Sequence, residues 1–392
     1  MKKRATRGYT LIELLVAMSL GLIIMGAGIV TYKQAMDTTS YLTQRSAVQV
    51  NARSAINQLG QDLNFAGYGL PIGGVAVPPT ATFFCATTGS PATYAYTCPP
   101  TATAFPVVGG NRTLFGINPS YQTGGTVNGN KTDVITIAYV DSSPDFWNDV
   151  CGTGTTVCGF DGYPVIQSNV TGGTVKLTWD TRTSPLPTDA KWGLKSGDLV
   201  LVSNTNGEAV GYVSSTAGGT INLLAGDVMG LNQPAGTNGA VANLLPTGVQ
   251  TYPAGTLTAT TVTRLNLITY YVGTDPLAQA AGSSVSPYRV YRVLNGDSGT
   301  NPPVPIAEQI YNMNFTYDMF NSVCGGSLAT NQASPTLAQI GLIKTVNAYI
   351  TAAGTLAASG QKIQQMPLST TVSPRNLAFF DSYSSTSNGT CS

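Results

Sequence analysis

Residues 2–33 read KKRATRGYTLIELLVAMSLGLIIMGAGIVTYK, a short basic segment followed by a long apolar one. From Leu14 to Tyr32 there is no charged residue, and as a helix at 1.5 Å per residue the stretch is about 28 Å long. A bilayer has a hydrocarbon core of roughly 30 Å, so residues 14–32 are predicted to span a membrane. The basic residues before the span outnumber the single Lys33 after it, which predicts a cytoplasmic N-terminus and an exported remainder.

Glu13 is a carboxylate at the edge of this apolar run. A charge in that setting costs about 2–3 kcal/mol or more unless it is paired or reaches the interface. Local physics offers one interpretation, in which Glu13 lies one turn from the helix start, reaches the headgroups and favours the positive end of the helix dipole. The residue otherwise requires a partner from outside its own helix.

The N-terminal residues carry a family resemblance. A short basic leader ending in Gly8, followed by YTLIELLVAM with Glu13 fifth after the glycine, resembles the cleavage and methylation motif of type IV prepilins and type II secretion pseudopilins. The resemblance implies removal of residues 1–8 by a prepilin peptidase, N-methylation of Tyr9 and polymerisation of the helix into a fibre. In that fibre Glu13 would pair with the freed amine of a neighbouring subunit. Tyr9 stands where the family usually has Phe, which keeps the ring.

Major pilins often carry prolines inside the long helix, and this chain has none before Pro71. Gly21, Gly26 and Gly28 are alternative points of softening, because glycine weakens a helix interior by about 1 kcal/mol relative to alanine. The same glycines also suit close packing, since Ala17 and Gly21 form a small-xxx-small pair of the kind membrane helices use. The sequence leaves both interpretations open.

The helix is predicted to continue to Ala66, giving a long N-terminal helix over residues 9–66, about 87 Å in length. Gly67, Gly69 and Pro71 are predicted to end it. Its second half is amphipathic, with apolar residues mostly at spacings of three and four: Met36, Leu42, Val48, Ala52, Ile56, Leu59, Leu63 and Ala66.

The end of this helix, NARSAINQLGQDLNFAGYG, resembles the corresponding segment of PilW-type minor pilins, in which a Leu- and Asp-rich turn leads into an AGY glycine break. An ordinary helix stop is compatible with the same residues. The matching positions are Leu59, Asp62, Leu63, Ala66, Gly67 and Tyr68.

Residues 67–392 are predicted to form a β-rich head, so the fold class is α+β and pilin-like, with a long membrane-spanning helix on a large antiparallel β-rich head. Inserts are expected near 71–132 and 141–197, and a linker-like loop near 230–255. The order of the strands resembles the PilW-type head and includes a terminal RNL strand. The predicted strands are DVITIAYV, TVKLTW, GDLVLVS, EAVGYVSS, TINLLA, VTRLNLITYYVG, YRVYRVLNG, IYNMNFTYDMF, IGLIKTVNAYITAAG and VSPRNLAFF.

Six cysteines lie on the exported side of the predicted span. An even number in an oxidising compartment predicts disulfides, and six cysteines allow about 15 connectivities. Sequence proximity favours Cys85 with Cys98, Cys151 with Cys158, and Cys324 with Cys391. Zinc ligation is disfavoured, because the chain has no CxxC pair and no histidine.

Composition excludes several function classes. The absence of histidine removes every Ser-His, Cys-His and His-metal site, so no enzyme, cofactor or metal is predicted. Charged residues are 9% of the chain, and loss of the four leader basic residues leaves 19 − 4 = 15 against 18 acidic ones, so no nucleic-acid partner is predicted. A weakly charged surface also lowers the barrier to self-association.

Two weaker ligand hypotheses remain. Asp141, Asp145 and Asp149 with Asn148 offer oxygen ligands for calcium, but the DxDxDG spacing is missing and a solvated acidic loop is favoured. Three tryptophans suit either a sugar-stacking surface or core packing, and core packing is favoured. They are Trp147, Trp179 and Trp192.

The sequence therefore predicts a minor pilin of a type IV pilus that helps to initiate or cap the fibre. A J-like pseudopilin of type II secretion and a tip adhesin that binds through the inserts are the alternatives; an anchored hydrolase using paired carboxylates is disfavoured. The implied partners are a prepilin peptidase, other minor and major pilins, and the inner membrane. The implied location is a single-pass inner-membrane protein with a periplasmic C-terminus, then a fibre at the cell surface serving adhesion or twitching motility.

Overall fold

The structure, a computed structural model, combines one long helix with a large antiparallel β-rich part, an α+β fold. The described residues include helix α1, Leu11–Phe65, and helix α2, Arg375–Ala378, with 3-10 turns at Val241–Asn243 and Leu337–Leu342. The residues described are 9–71, 73–83, 103–105, 107–108, 110–127, 129–141, 163–179, 188–189, 193–251, 260–274, 288–296, 302–322, 325–353 and 365–378.

Helix α1 runs for 55 residues, about 82 Å, and among the described residues the buried part of it is its last third. The amphipathic pattern predicts contact from Met36 onward, and this is wrong for its first members, because Met36 and Leu42 are each 56% exposed. A periodic apolar face is buried only where a facing surface exists, and the head begins at Val48. The buried face consists of Val48, Ala52, Ala55, Ile56, Leu59, Leu63 and Ala66.

All strand pairs among the described residues are antiparallel. In chain order the strands are β1 Val75–Val77, β2 Thr82–Phe83, β3 Thr103–Ala104, β4 Val107–Val108, β5 Asn111–Leu114, β6 Ile117–Ser120, β7 Thr126–Val127, β8 Asn130–Lys131, β9 Val134–Asp141, β10 Tyr163–Pro164, β11 Gln167–Thr171, β12 Thr174–Thr178, β13 Leu199–Asn204, β14 Gly207–Tyr212, β15 Ser215–Ala217, β16 Thr220–Leu223, β17 Gly248–Thr251, β18 Thr261–Thr274, β19 Tyr288–Leu294, β20 Val304–Glu308, β21 Ile310–Ser322, β22 Gly325–Gln332, β23 Ile343–Ala353 and β24 Gln365–Val372.

The 14-residue strand β18 organises the central sheet. Along one edge it pairs first with β13 and then with β19, and along the other edge with β10 and β9. Ile268, for example, stands between Leu294 of β19 and Ile137 of β9. Because β18 is longer than any single partner, it joins strands that lie far apart in sequence into one sheet.

A second sheet, in the order β22-β21-β23-β24, lies beside α1. Together with the central sheet it buries the apolar face of the helix, where Leu59 and Leu63 are at most 1% exposed. Burying a leucine side chain contributes about 1.5–3 kcal/mol, so this face supplies a large apolar attachment. The principal core is therefore the contact between the helix and the C-terminal half of the head.

A separate core lies between the central sheet and a five-stranded sheet in the order β15-β16-β12-β11-β17. The segment predicted as a linker-like loop near 230–255 has little regular structure, yet Val241, Ala242 and Leu244 are buried in this core. Its Gly, Pro and Asn content resembles that of a linker, but these apolar residues pack into the core, whereas Val249 is exposed. Trp179 is also buried here, as core packing predicts.

The predicted terminal strand over the RNL segment is wrong. Strand β24 ends at Val372, and residues Arg375–Ala378 form the short helix α2. The Leu377 N–H donates to the carbonyl of Pro374 at 3.2 Å, and proline suits the first turn of a helix. The apolar residues after Pro374 are typical of a strand. In the structure, however, a helical turn places the Leu377 side chain beside Gly67.

Candidate functional site

The candidate site is helix α1, and it begins with a capping box. Thr10 is the N-cap, and its hydroxyl accepts a hydrogen bond from the Glu13 N–H at 3.4 Å. In return, Glu13 Oε2 accepts from the N–H and the hydroxyl of Thr10, both at 3.1 Å. These bonds satisfy N–H groups that a helix start leaves without partners. The local interpretation of Glu13 at the helix start therefore has a concrete geometry.

The apolar part of α1 is uncovered by the described head. Tyr9 is 88% exposed, and the large apolar side chains after it are also exposed, up to Val30. Among the described residues, α1 is the helix that is long and apolar enough to cross a membrane, by length and composition. Soluble domains rarely expose so large an apolar surface, so this part of α1 is expected to contact a membrane or another protein.

Hydroxyl groups in the apolar part of α1 are satisfied within the helix. The Ser19 hydroxyl donates to the Val16 carbonyl at 2.9 Å, and the Thr31 hydroxyl to the Ala27 carbonyl at 2.7 Å. Hydrocarbon supplies no hydrogen-bond partner, so such internal bonds make these residues compatible with lipid. The helix is continuous through Gly21, and a Cβ there would meet nothing within 4 Å.

Asp62 joins the other end of α1 to the head. Its side chain is buried, and its Oδ2 accepts from Arg292 Nε at 2.8 Å, while Oδ1 accepts from Arg292 Nη2 at 3.3 Å. The hydroxyl of Tyr270 donates to the same Oδ2. The partners come from β18 and β19, more than 200 residues away along the chain. Asp62 was singled out by the sequence, but its partners were not.

Burial and charge shape the titration of the groups around Asp62. Burial, and then the negative charge of Asp62, raise the pKa of Tyr270 far above its ordinary value, so its hydroxyl stays a hydrogen-bond donor. Burial lowers the pKa of Arg292, but the hydrogen bond and charge of Asp62 outweigh it and leave the pKa raised. The cluster is therefore a fixed ion pair with a neutral tyrosine. The sequence signal that could have pointed to Arg292 is the presence of arginine within YRVYRVL, a strand that otherwise consists of Tyr, Val and Leu.

The AGY segment after α1 is both a helix stop and a docking turn. Gly67 and Gly69 have φ angles of +76° and +69°, a region that favours glycine. The Gly67 N–H donates to the Ala138 carbonyl at 2.9 Å, and the Val140 N–H donates to the Tyr68 carbonyl at 2.8 Å. The turn therefore hydrogen-bonds to β9, so the helix end is held by backbone as well as by side chains.

The remaining predicted site residues are only partly described. Several of them lie outside the described residues, namely leader residues 1–8 with Gly8, the six cysteines, Asp145, Trp147, Asn148, Asp149 and Trp192. Asp141 is described, and it forms an ion pair with Arg264. Arg264 Nη1 lies 3.9 Å from Asp141 Oδ2, and Arg264 Nε lies 3.6 Å from Asp198 Oδ2. Within the described ranges no group of three or more His, Cys, Asp or Glu residues could hold a metal ion.

Comparison with known proteins gives one match. The family described as "Prokaryotic N-terminal methylation motif" matches residues 3–29, which include Gly8, Tyr9 and Glu13. No curated protein and no solved structure matches the chain. Structural pilins that carry this motif are in general not enzymes, and the motif implies processing by prepilin peptidase and assembly with other pilins. The motif and the uncovered apolar helix together support a membrane-anchored type IV pilin-like or pseudopilin-like protein.

Proposed function

We propose that this chain is a minor pilin of a type IV pilus, which enters the fibre through α1 and helps to initiate or cap it. The observation that carries the proposal is the methylation motif placed at the start of an apolar helix that the described head leaves uncovered. The precursor would span the inner membrane, with residues 1–8 in the cytoplasm and the head in the periplasm. Prepilin peptidase would cut between Gly8 and Tyr9 and methylate the new amine of Tyr9.

The mechanism requires no bond chemistry in the fibre. Apolar side chains of α1 would leave lipid and pack against the helices of other minor and major pilins, where small residues such as Ala17 and Gly21 allow close approach. The head would remain at the fibre surface, fixed to the helix from Val48 onward. The wide exposure of the first half of α1 supports this division between an assembly half and a head-bearing half.

Glu13 would guide assembly through its charge. A carboxylate has about four acceptor positions, and the capping box uses Oε2, so acceptor capacity remains for an ammonium group. The methylated amine of Tyr9 on a neighbouring subunit is the partner that we propose. Pairing inside a helical bundle would remove the cost of an isolated charge in an apolar setting, about 2–3 kcal/mol.

The test is mass spectrometry of the mature N-terminus combined with recovery from sheared fibres. We expect a chain that begins with N-methylated Tyr9. Replacing Gly8 should leave residues 1–8 attached, and Glu13→Ala should abolish recovery from fibres while leaving the thermal stability of the head unchanged. Asp37→Ala is the matched control, because Asp37 is an exposed acid on the same helix, and it should behave as wild type. Retention of Met1 in the exported protein would refute the proposal.

The same motif is compatible with a J-like pseudopilin of type II secretion. If the chain is a pseudopilin, deleting its gene would abolish secretion and leave pili intact. If it is a minor pilin, the deletion would reduce piliation and leave secretion intact. A tip adhesin is the other alternative, in which the inserts near 71–132 and 141–197 bind a surface. Deletion of residues 142–162, within the second insert, would then remove adhesion without reducing piliation. A head of over 300 residues supports the pilus assignment over the pseudopilin.

A further inference from the structure

The buried face of α1 has a repetitive pattern. Val48, Ala52 and Ile56 are four residues apart, and Leu59 and Leu63 repeat the same interval. Apolar burial is non-directional, so a slide of the helix by one turn, about 5.4 Å, that brings Val48 to the place of Ala52 and Leu59 to the place of Leu63 keeps those places apolar. Apolar packing alone therefore attaches the helix to the head, but it discriminates between neighbouring registers less sharply than a directional polar contact does.

Asp62 breaks this repetition. It is the only acidic residue from Val48 to Phe65, and a one-turn slide would bring Gln58 or Ala66 to its place beside Arg292. Neither replacement carries a negative charge, so the guanidinium would lose its paired carboxylate. Removing one member of a largely buried ion pair is destabilising, because the other charge is left without a partner.

Tyr270 increases the directional character of this contact. Its hydroxyl and Arg292 Nε both donate to Oδ2 of Asp62, and Arg292 Nη2 donates to Oδ1. Three donors from two adjacent strands thus converge on one carboxylate of the helix. A rotation of α1 about its axis would break these bonds just as a slide would, so the cluster restrains both movements.

We propose that Asp62, Arg292 and Tyr270 form a register lock, which fixes the position and rotation of the head on α1. The three are positioning residues, because they act on the geometry of the subunit through their contacts with one another. On the proposed function, a head held in one orientation presents the same surface each time the helix enters a fibre. A subunit with a broken lock would keep its membrane helix and its folded head, yet dock into the fibre poorly.

Hydrogen exchange of the full-length protein in detergent micelles tests the lock directly. In the single variants Asp62→Asn and Arg292→Gln, we expect amide exchange in residues 49–65 to become about tenfold faster or more. The exchange rates of β11 and β12, which lie in the separate core away from α1, should not change. The matched control is Arg289→Gln. Arg289 lies on the same strand as Arg292 but pairs with Glu308 inside the head at 2.9 Å, so helix exchange should stay at the wild-type rate.

A double variant separates a lock from general destabilisation. In Asp62→Asn combined with Arg292→Gln no buried charge is left unpaired, so we expect helix exchange slower than in Asp62→Asn alone. Equal acceleration across the whole head in Asp62→Asn, or no acceleration in residues 49–65, would overturn the proposal. So would a double variant whose effect is the sum of the two single ones.

Recovery from sheared fibres tests the consequence for assembly. Asp62→Asn should reach the membrane folded and be recovered from fibres at less than about one tenth of the wild-type amount, while Arg289→Gln is recovered normally. Normal recovery of Asp62→Asn would overturn the assembly role. If wild-type protein is itself missing from fibres and keeps residues 1–8, the proposed function fails, and the exchange measurement still decides whether the lock exists.

Discussion

Gly116 lies directly against Gly67, so that the loop before β6 and the end of α1 meet backbone to backbone. A Cβ atom on Gly116 would lie 2.5 Å from the Gly67 Cα and 2.6 Å from the Gly67 nitrogen. Real Cβ atoms do not approach backbone so closely, and Gly67 is itself held by its hydrogen bond to Ala138. The helix end and the central sheet are therefore joined at a distance that only glycine permits.

This contact predicts that Gly116→Ala destabilises the junction of helix and head. Since the obstructing atoms belong to backbone, relief requires the helix end to shift, and we expect a loss of about 1–3 kcal/mol in the free energy of unfolding. Urea denaturation followed by circular dichroism measures it. Gly73→Ala is the control, because a Cβ there meets nothing within 4 Å and should have little effect. A Gly116→Ala variant as stable as wild type would contradict the close approach.

Gly60 predicts the opposite result. It lies inside α1, and a Cβ there would meet only Val372 Cγ2, at 3.9 Å, which is ordinary van der Waals contact. Alanine favours a helix interior over glycine, so Gly60→Ala should stabilise the docked part of α1 by about 0.5–1 kcal/mol. The same denaturation experiment measures the gain. Gly21→Ala, in the uncovered part of the helix, should leave the stability of the head unchanged, and a loss of stability in Gly60→Ala would contradict the packing described.

Asp133 predicts a larger loss from a small chemical change. Its two carboxylate oxygens accept from the backbone N–H groups of Gln122 at 2.8 Å and Phe315 at 2.9 Å, and so connect the central sheet to β21. In Asp133→Asn one acceptor is replaced by a donor, so we expect a loss of about 2–3 kcal/mol by thermal or urea unfolding. Asp318→Asn is the control, because Asn331 and Asn347 both donate to one oxygen of Asp318, which asparagine retains.

Buried carboxyl groups predict an unusual pH dependence of the head. Burial raises the pKa values of Asp133, Asp198, Glu208 and Asp227, although hydrogen bonds oppose it in each case. A carboxyl group whose pKa is raised by folding binds its proton more readily in the folded state, so its contribution is present at low pH and is lost as the pH rises through the raised pKa. The chain has no histidine whose burial would oppose this.

We therefore expect the free energy of unfolding of the head to increase as the pH falls toward the ordinary carboxyl range, and to level off within that range, around pH 4. Urea titrations at a series of pH values measure this directly. Glu208→Gln should reduce the increase, because it removes one of the contributing protonations. A steady loss of stability over the same range would contradict the assignment.

The cysteine pairing remains a prediction from the sequence. We expect the exported protein to show no reactive thiols and to give disulfide-linked peptides for Cys85 with Cys98, Cys151 with Cys158, and Cys324 with Cys391. Peptide mapping under non-reducing conditions checks it, and any other set of pairs would refute the proximity argument. Reduction should destabilise the head by about 2–5 kcal/mol for each bridge.

Local sequence patterns were enough to predict the helix and nine of the strands, among them the longest one, β18. An uncharged run followed by a 3.6-residue periodicity is a local property, so α1 was predicted to within two residues at its start and one at its end. Strands such as β9 and β18 were likewise evident from apolar alternation. The motif at the N-terminus is also local, which is why cleavage, methylation and assembly could be argued before any fold was known.

How these pieces meet depends on contacts between residues that are far apart in the chain. Whether Met36 or Val48 is the first covered residue depends on where the head ends, which periodicity does not record. Packing against Gly67 accompanies the helical turn at Leu377, where pattern predicted a strand. The partners of Asp62 stand more than 200 residues away, and a pairing of that kind is set by the register of β18 and β19 and not by any neighbouring residue.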